Sequence, residues 1–236
     1  MNKSIGDFDA FADNYEQKFQ DALGVFAEES NYFARYKIDL LAHLVANTEI
    51  KSILDYGSGI GTSIPHLHDS FPNAQIWATD ISLTSLHKLR QRFDYTETVT
   101  LSELPKQHFD LIFVSCVFHH IPEERQQEAM DSLFESLSPG GQLCIFEHNP
   151  YNPITRRIVS SCEFDEGVTL LKKSQLIKLS RESSHTGKTS SGYCLFFPSF
   201  LRKLLIFERK LRWLPLGGQY FVLISQQDNK TNFKNQ

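Results

Sequence analysis

Short, continuously apolar runs alternate with amphipathic stretches through the middle of the chain. The strongest predicted strands are the runs KSILDYG, AQIWATD, FDLIFVSCVF and GGQLCIFEH. A weaker strand is predicted at TVTLSEL, and two late strands at YCLFFPSF and GQYFVLISQQ, with a basic helical stretch between these two. Strands that are apolar on both faces are typical of a parallel sheet covered by helices on both sides. The pattern therefore predicts an α/β, doubly wound fold with right-handed crossovers.

The chain divides into three predicted parts. Near the N-terminus, Phe8, Phe11, Tyr15 and Phe19 share one helical face, and residues 31–46 are a second predicted helix. We predict an N-terminal helical cap over residues 1–48 and one sheet domain over residues 49–227. The polar tail, residues 228–236, is predicted to be disordered.

Charge and cysteine content narrow the functional classes. The formal net charge is -4 over 236 residues, which argues against broad nucleic-acid binding. The four cysteines form no CxxC pair, so reduced thiols are expected and no metal site is predicted. We see no signal peptide and no transmembrane segment, and therefore expect a cytoplasmic protein.

The stretch ILDYGSGIG places three alternating glycines directly after the first predicted strand. Glycine is favoured where φ is positive or where a ligand lies against the backbone. In an open α/β sheet, ligands bind beyond the carboxyl ends of the strands. Gly57, Gly59 and Gly61 depart from the G-x-G-x-x-G spacing of dinucleotide enzymes, because Thr62 stands where the last glycine belongs.

Two acidic residues indicate the kind of ligand. Asp55, two residues before the first glycine, would repel a pyrophosphate but suits an ammonium group; its alternative role is a helix N-terminal charge. Asp80 ends the second strand, where a carboxylate accepts both hydroxyls of a ribose. S-adenosylmethionine has both an amino-acid ammonium and an adenosine, so it fits this pair.

These residues carry a family resemblance. ILDYGSGIG, ATDIS, FDLIFVSCVFHHI and LSPGGQLCIFEH resemble, in order and spacing, the motifs of class I S-adenosylmethionine-dependent methyltransferases of the small-molecule, type 11/12-like group. The resemblance covers about residues 50–148. It implies a Rossmann-like, seven-stranded, mostly parallel sheet whose last strand is antiparallel, with helices on both faces. It assigns no adenine-binding residue, because the acid common after the third strand of the family has no clear match here.

The resemblance also implies a set of site residues. The expected cofactor contacts are Asp55, Tyr56, Gly57, Ser58, Gly59, Asp80, Ile81, Ser115 and Cys116, together with Tyr15 and Arg35 from the N-terminal helices. For Tyr15 and Arg35, a core or surface role is the competing interpretation.

Polar residues after the fourth and fifth strands are the candidates for the reaction itself. His119 and His120 are the predicted catalytic residues; His120 is expected to face the acceptor, and His119 has a structural role as its alternative. The expected acceptor contacts are Glu147, His148, Asn149 and Tyr151. A histidine suits a general base for an oxygen or nitrogen acceptor.

The sequence leaves three functions open. The favoured one is in-line methyl transfer to a small-molecule acceptor, with saccharides and lipid-linked compounds among the candidates. The alternatives are a non-catalytic S-adenosylmethionine-binding partner protein and a nicotinamide-dependent oxidoreductase. The sequence does not fix the acceptor atom or the oligomeric state.

Overall fold

A seven-stranded sheet forms the centre of the molecule in a computed structural model, which describes residues 26–162, 165, 167–183 and 187–226, without the side chains of residues 26–30. The strands are β1 (Ser52–Tyr56), β2 (Gln75–Thr79), β3 (Glu97–Thr98), β4 (Phe109–Ser115), β5 (Leu137–His148), β6 (Gly187–Cys194) and β7 (Gln219–Gln226). Their order is β3-β2-β1-β4-β5-β7-β6. β1 to β5 pair in parallel, and β7 runs antiparallel to both β5 and β6. The predicted sheet, including its antiparallel last strand, is confirmed.

Seven α-helices and three 3₁₀ segments surround the sheet in the residues that the structure describes. The helices are α1 (Phe26–Leu44), α2 (Ile64–Ser70), α3 (Leu83–Arg92), α4 (Glu123–Ser136), α5 (Pro153–Ser160), α6 (Lys173–Glu182) and α7 (Leu205–Leu211). The 3₁₀ segments are Leu101–Glu103, Phe118–His120 and Ser199–Leu204. Ser82 caps the N-terminus of α3, because its side chain accepts a hydrogen bond from Ser85 N.

Alternate residues of the strands point to opposite faces of the sheet and pack into two separate hydrophobic cores. On one face, Ile53 and Phe113 pack with Leu41 of α1 and Leu67 of α2. On the other face, side chains of β1, β4, β5 and β7 pack with α4 and α6. This two-sided burial is why the strand sequences are continuously apolar rather than alternating.

Two strand predictions need correction. β3 has two residues and is followed by a 3₁₀ turn, although a longer strand was expected at TVTLSEL. β6 begins at Gly187 and ends at Cys194, so the apolar stretch after Cys194, which was expected to be strand, lies outside it. β6 is an edge strand with mostly exposed, polar residues, and its sequence therefore lacks the apolar signal of the inner strands.

Among the described residues, no helix is long and apolar enough to cross a membrane. The four cysteines are free thiols, as expected. The predicted tail and the helix around Phe8 to Phe19 lie outside the described residues. The three-part division of the chain stays a prediction.

Candidate functional site

The loop between β1 and α2 requires glycine at all three alternating positions. Gly57, Gly59 and Gly61 have φ values of 74°, 52° and 86°, in the region that disfavours other residues. A Cβ at Gly57 would lie 2.3 Å from Val117 Cγ2, and one at Gly61 would lie 2.8 Å from Phe93 Cε2. A Cβ at Gly59 would meet nothing within 4 Å. The central glycine therefore turns an open backbone surface outward, while its two neighbours pack inward.

Hydrogen bonds hold this loop against the end of β2. Thr79 O accepts from Gly57 N at 2.8 Å and from Ser58 N at 3.0 Å. Asp80 Oδ2 accepts from Gly59 N at 2.7 Å, and its Oδ1 accepts from Ser82 N at 2.9 Å. The glycine loop and the β2 carboxylate thus form one edge at the carboxyl ends of the strands.

Asp55 lies under this loop and is 2% exposed. Its Oδ2 has no hydrogen-bond partner within the part of the chain that the structure describes. Burial raises the pKa of the carboxyl to about 7; the charge of Asp80 acts in the same direction, and that of Lys37 opposes both. A buried carboxyl with an unused oxygen is costly unless a ligand supplies a donor.

These features fit S-adenosylmethionine. The open backbone at Gly59 leaves room for a ligand against the loop. Asp55 offers an unpaired oxygen to an ammonium, and Asp80 stands where a ribose diol would be held. The side chain of Ile81, next to Asp80, is exposed at the same edge.

The remaining predicted cofactor residues lie around the same edge. Tyr56 is buried beneath the loop, and burial raises the pKa of its phenol. Ser115 ends β4, and Cys116 follows it with φ 59°. This left-handed backbone at a non-glycine residue redirects the chain where it leaves the sheet.

Lys37 is the cation that α1 brings to this edge. Its Nζ donates to Ser115 Oγ at 2.5 Å, and its charge lowers the pKa of Asp55 and of Cys116. Sequence reasoning overlooked Lys37. The available signal was its position beside the buried Ala34 and Ile38 on the inner face of α1.

Arg35, the predicted cofactor contact from α1, points elsewhere. Its guanidinium pairs with Asp39 at 2.9 Å and with Asp69 at 3.4 Å, and its side chain is 48% exposed. These ion pairs agree with the competing interpretation, in which Arg35 is a surface residue. Tyr15, the other predicted helical contact, lies outside the described residues.

His119 is held inside a network of carboxylates at the end of β4. Its Nδ1 lies 2.6 Å from Glu147 Oε2, and its Nε2 lies 3.3 Å from Asp165 Oδ1. Burial alone would lower the pKa of His119, but the two carboxylates raise it well above its ordinary value. A protonated His119 donates to both carboxylates, and its side chain is 1% exposed. Its role is to tie β4, β5 and the segment after α5 together.

His120 shares Asp165 with His119 but is more accessible. Its Nε2 lies 3.3 Å from Asp165 Oδ1, and its side chain is 21% exposed. The two imidazole rings stack with centroids 4.1 Å apart. Although burial raises the pKa of Asp165, hydrogen bonds from both histidines bring it well below its usual range. Sequence reasoning missed Asp165, because nothing local to it indicates two histidine partners 45 or more residues away.

Three groups of metal-ligand type meet here. Ligand atoms of His119, His120 and Asp165 all lie within 4.8 Å of one another. Histidine nitrogen and carboxylate oxygen are donors that zinc and similar cations accept. The hydrogen bonds between these groups account for the same arrangement without a cation, so the prediction that no metal binds stays open to test.

His148 and Cys116 form a second pair beside this network. The His148 ring lies 5.3 Å from that of His119, and Gln219 Nε2 donates to Cys116 Sγ at 3.2 Å. Burial raises the pKa of the Cys116 thiol, but His148 and Lys37 lower it to about 7. His148, one of the predicted acceptor contacts, therefore lies at the same edge as His120.

Two predicted acceptor contacts have a different role. Glu147 is 0% exposed; its Oε1 accepts from Val117 N and Phe118 N, and its Oε2 binds His119. Asn149 is also 0% exposed. Its Nδ2 donates to Pro215 O and Gly217 O, and its Oδ1 accepts from Tyr151 N. Both side chains are buried and hydrogen-bonded to internal partners, so they position neighbouring segments, and their contact with an acceptor stays a prediction.

Tyr151 is the last predicted acceptor contact. It is 54% exposed and follows the end of β5. The structure leaves it accessible but does not bring it into the histidine network described above. Its contact with an acceptor stays a prediction.

Comparisons with known proteins agree with this geometry. Residues 54–143 match the family described as "Methyltransferase domain". Trans-aconitate 2-methyltransferase of Azoarcus sp. is 28% identical over 137 residues, covering 57% of this chain and 52% of the relative. The chain thus spans about half the length of this curated relative.

Solved structures show the same fold. A Thermotoga maritima protein described as an S-adenosylmethionine-dependent methyltransferase, possible histamine N-methyltransferase, has a TM-score of 0.63 and 14% identity, over 93% of this chain and 98% of its own. Phosphoethanolamine N-methyltransferase 2 of Haemonchus contortus, in complex with S-adenosylhomocysteine, has a TM-score of 0.54 and 15% identity, over 80% and 52%.

The fold and the glycine loop agree with the resemblance to class I S-adenosylmethionine-dependent methyltransferases. With the match over residues 54–143, the chain contains a methyltransferase domain of that class. The predicted class, fold and cofactor, S-adenosylmethionine, are thereby confirmed at the level of this domain.

Proposed function

We propose that the chain is an S-adenosylmethionine-dependent methyltransferase that acts on a small-molecule acceptor. One observation supports this most directly: the orphaned oxygen of buried Asp55 lies beside a glycine loop, on the sheet edge that also carries His120. The matched domain supports the cofactor, while the activity of the whole protein is our proposal.

In this proposal, the two carboxylates divide the binding of the cofactor. Asp80 accepts hydrogen bonds from the ribose, and Asp55 accepts one from the ammonium of the amino-acid end. Lys37 lies near both Asp55 and Ser115, where its charge favours the ionised form of Asp55. S-adenosylmethionine, when bound, supplies an activated methyl group on a sulfonium.

The residues after β4 prepare the acceptor. In this proposal Asp165, whose Oδ1 lies 3.3 Å from Nε2 of His120, orients the imidazole so that Nδ1 faces the acceptor. His120 then removes the proton from an acceptor hydroxyl or amine as the methyl group is transferred. General-base catalysis of this kind accelerates a reaction about 10²–10⁴-fold. Alignment of the acceptor with the cofactor contributes the remainder of the rate acceleration.

For the acceptor itself, we favour a saccharide or a lipid-linked compound. Support comes from the basic and apolar surface after β5, which is described below. A small carboxylate is the second candidate, supported by the similarity to a trans-aconitate methyltransferase.

One assay separates these functions. The purified protein is incubated with S-adenosylmethionine labelled in the methyl group and with lipid-linked saccharides, free saccharides or small carboxylates. Label in the lipid-linked or saccharide fraction supports our preference, and label in the carboxylate fraction supports the second candidate. Tight binding of S-adenosylmethionine without transfer to any fraction supports the non-catalytic alternative. A thermal shift with NAD⁺ but not with S-adenosylmethionine would instead indicate an oxidoreductase.

A further inference from the structure

Large apolar side chains are exposed over one part of the surface after β5. The most exposed are Ile154, Ile158, Phe200, Ile206, Trp213 and Leu216, with exposures from 61% to 80%. They belong to α5, to the segment Ser199–Leu211 and to the turn that follows α7. We call this surface the C-terminal face. Large apolar side chains exposed in neighbouring segments in this way are typical of an interaction site.

Hydrogen bonds join two segments of this face, α5 and the turn that follows α7. Asn152 Nδ2 donates to Leu216 O at 2.7 Å, and Thr155 Oγ1 donates to Gly218 O at 2.9 Å. The N-terminus of α5 is therefore fastened to the turn that carries Leu216. Within α5, Thr155 and Val159 are buried, while Ile154 and Ile158 point away from the protein. The outward apolar face of this helix is thus not explained by the core.

Cations are interleaved with these apolar side chains. They are Arg156, Arg157, Arg202, Lys203, Arg209 and Lys210, all of them exposed. None of the six has a carboxylate at ion-pair distance among the residues described by the structure. Their charges are therefore available to a partner.

Charged residues are distributed unevenly along the chain, and the basic ones are concentrated in the part that contains the C-terminal face. Residues 1–150 contain 10 Lys and Arg against 22 Asp and Glu, whereas residues 151–226 contain 12 against 5. A basic region with interleaved apolar and aromatic side chains is the composition of surfaces that lie on anionic lipid. A partner protein of mixed charge would not require this separation.

We infer that the C-terminal face docks on the surface of an anionic lipid bilayer. Trp213, Phe200 and the isoleucines enter the interfacial region, and the six cations face the lipid phosphates. Docking is peripheral and depends on salt, because much of the attraction is between exposed charges. The inference is independent of the proposed function, since docking needs neither cofactor nor acceptor.

The test uses the full chain and two kinds of vesicle. One kind is phosphatidylcholine alone, and the other is phosphatidylcholine mixed with phosphatidylglycerol. We expect sedimentation with the anionic vesicles and not with the neutral ones, and release at high salt. Since each basic residue near such a surface contributes about fivefold to partitioning, Arg209→Gln with Lys210→Gln should weaken binding about 25-fold. Arg90→Gln with Lys51→Gln, exposed cations outside the face, is the matched control and should bind as wild type.

Fluorescence reports the insertion itself. The chain has two tryptophans, and Trp77 packs against His108 and Phe109, away from this face. In a Trp77→Phe background, anionic vesicles should shift the emission of Trp213 to shorter wavelength. Failure to bind anionic vesicles, or equal binding by the paired variant and its control, would overturn the inference. So would a concentration-dependent dimer that the paired variant abolishes, which would make the face an interface between copies.

Discussion

The two halves of the sheet edge are built by different means. Around β1 and β2, the site combines a backbone loop, whose three glycines have positive φ, with two carboxylates within 26 residues of one another. Around β4 and β5, it consists of side chains joined across long stretches of chain, such as Glu147 to His119 and Asp165 to His120. The first construction tolerates little change, and the second can be rebuilt for a new acceptor by exchanging side chains. A common cofactor with a variable acceptor is the outcome that we expect from this difference.

Removing the imidazole of His120 should produce the largest effect. For His120→Ala, we expect kcat to fall by about 10²–10⁴ with little change in cofactor affinity, because the β1–β2 half is intact. The loss should shrink at high pH, where solvent removes the acceptor proton. Turnover and calorimetric binding are measured together, with His87→Ala, an exposed histidine on α3, as the control. Wild-type turnover in the His120 variant at saturating acceptor would end the general-base role.

Replacing His119 should mainly lower the free energy of unfolding. His119→Ala leaves Glu147 buried without its partner, which costs about 3–5 kcal/mol in the free energy of unfolding. We expect Glu147→Gln combined with His119→Ala to recover part of this loss in urea denaturation. Since folding raises the pKa of His119, its stabilisation is full below about pH 6.5 and is lost as pH rises through the folded value. An unchanged unfolding midpoint in His119→Ala would contradict the network.

Removing the carboxylate of Asp80 should weaken cofactor binding, with a smaller loss of turnover than in His120→Ala. For Asp80→Ala, we expect cofactor affinity to fall at least about tenfold, since hydrogen bonds to a charged group contribute roughly 1.5–3 kcal/mol. The measurement is calorimetry with S-adenosylmethionine, and Asp94→Ala, an exposed acid after α3, serves as the control. A folded Asp80 variant with wild-type affinity would rule out the ribose contact.

The pH dependence of binding tests Asp55. Its pKa is raised to about 7, so the carboxyl must lose a proton before it pairs with an ammonium. We expect affinity to rise about tenfold per pH unit below pH 7 and then level off, and Asp55→Asn to bind weakly at every pH. In the absence of cofactor, stability should fall as pH rises from about 4 to 7, because the folded state holds this proton longer than the unfolded state. A flat wild-type binding profile would place the ammonium elsewhere.

Chelation should have the smallest effect. If hydrogen bonds alone hold His119, His120 and Asp165 together, prolonged dialysis against EDTA leaves turnover and the unfolding midpoint unchanged. Metal analysis of the untreated protein is the companion measurement. A stoichiometric cation whose removal lowers turnover would show that His119, His120 and Asp165 form a metal site.

The sequence signals for the glycine loop and Asp80 are local, and the structure brings these residues together at one edge of the sheet. Gly57, Gly59 and Gly61 adjoin an apolar strand, and Asp80 ends the next one, so strand order alone brings them together. For the polar residues after β4 and β5, the sequence indicated their place at the edge of the sheet but not their hydrogen-bond partners. Glu147 and Asn149 were predicted to contact the acceptor, but in the structure both side chains form hydrogen bonds to internal partners.

The remaining errors also have physical reasons. Lys37 was overlooked and Arg35 favoured, because the two differ only in which face of α1 they occupy. Asp165 has no local pattern to identify it. β6 was placed too late in the chain, since its position at the sheet edge removes the need for apolar residues.

Asn149 has a consequence for how an acceptor is reached. Its amide fastens the end of β5 to the turn Pro215–Gly217, and this turn belongs to the C-terminal face. The histidine edge and the proposed lipid-binding surface are therefore fixed to one another at a set distance and angle. On a bilayer, the height of the reacting atom above the lipid phosphates would then be a constant of the molecule. Selection among acceptors would depend on how far each one projects from the membrane as well as on its chemical groups.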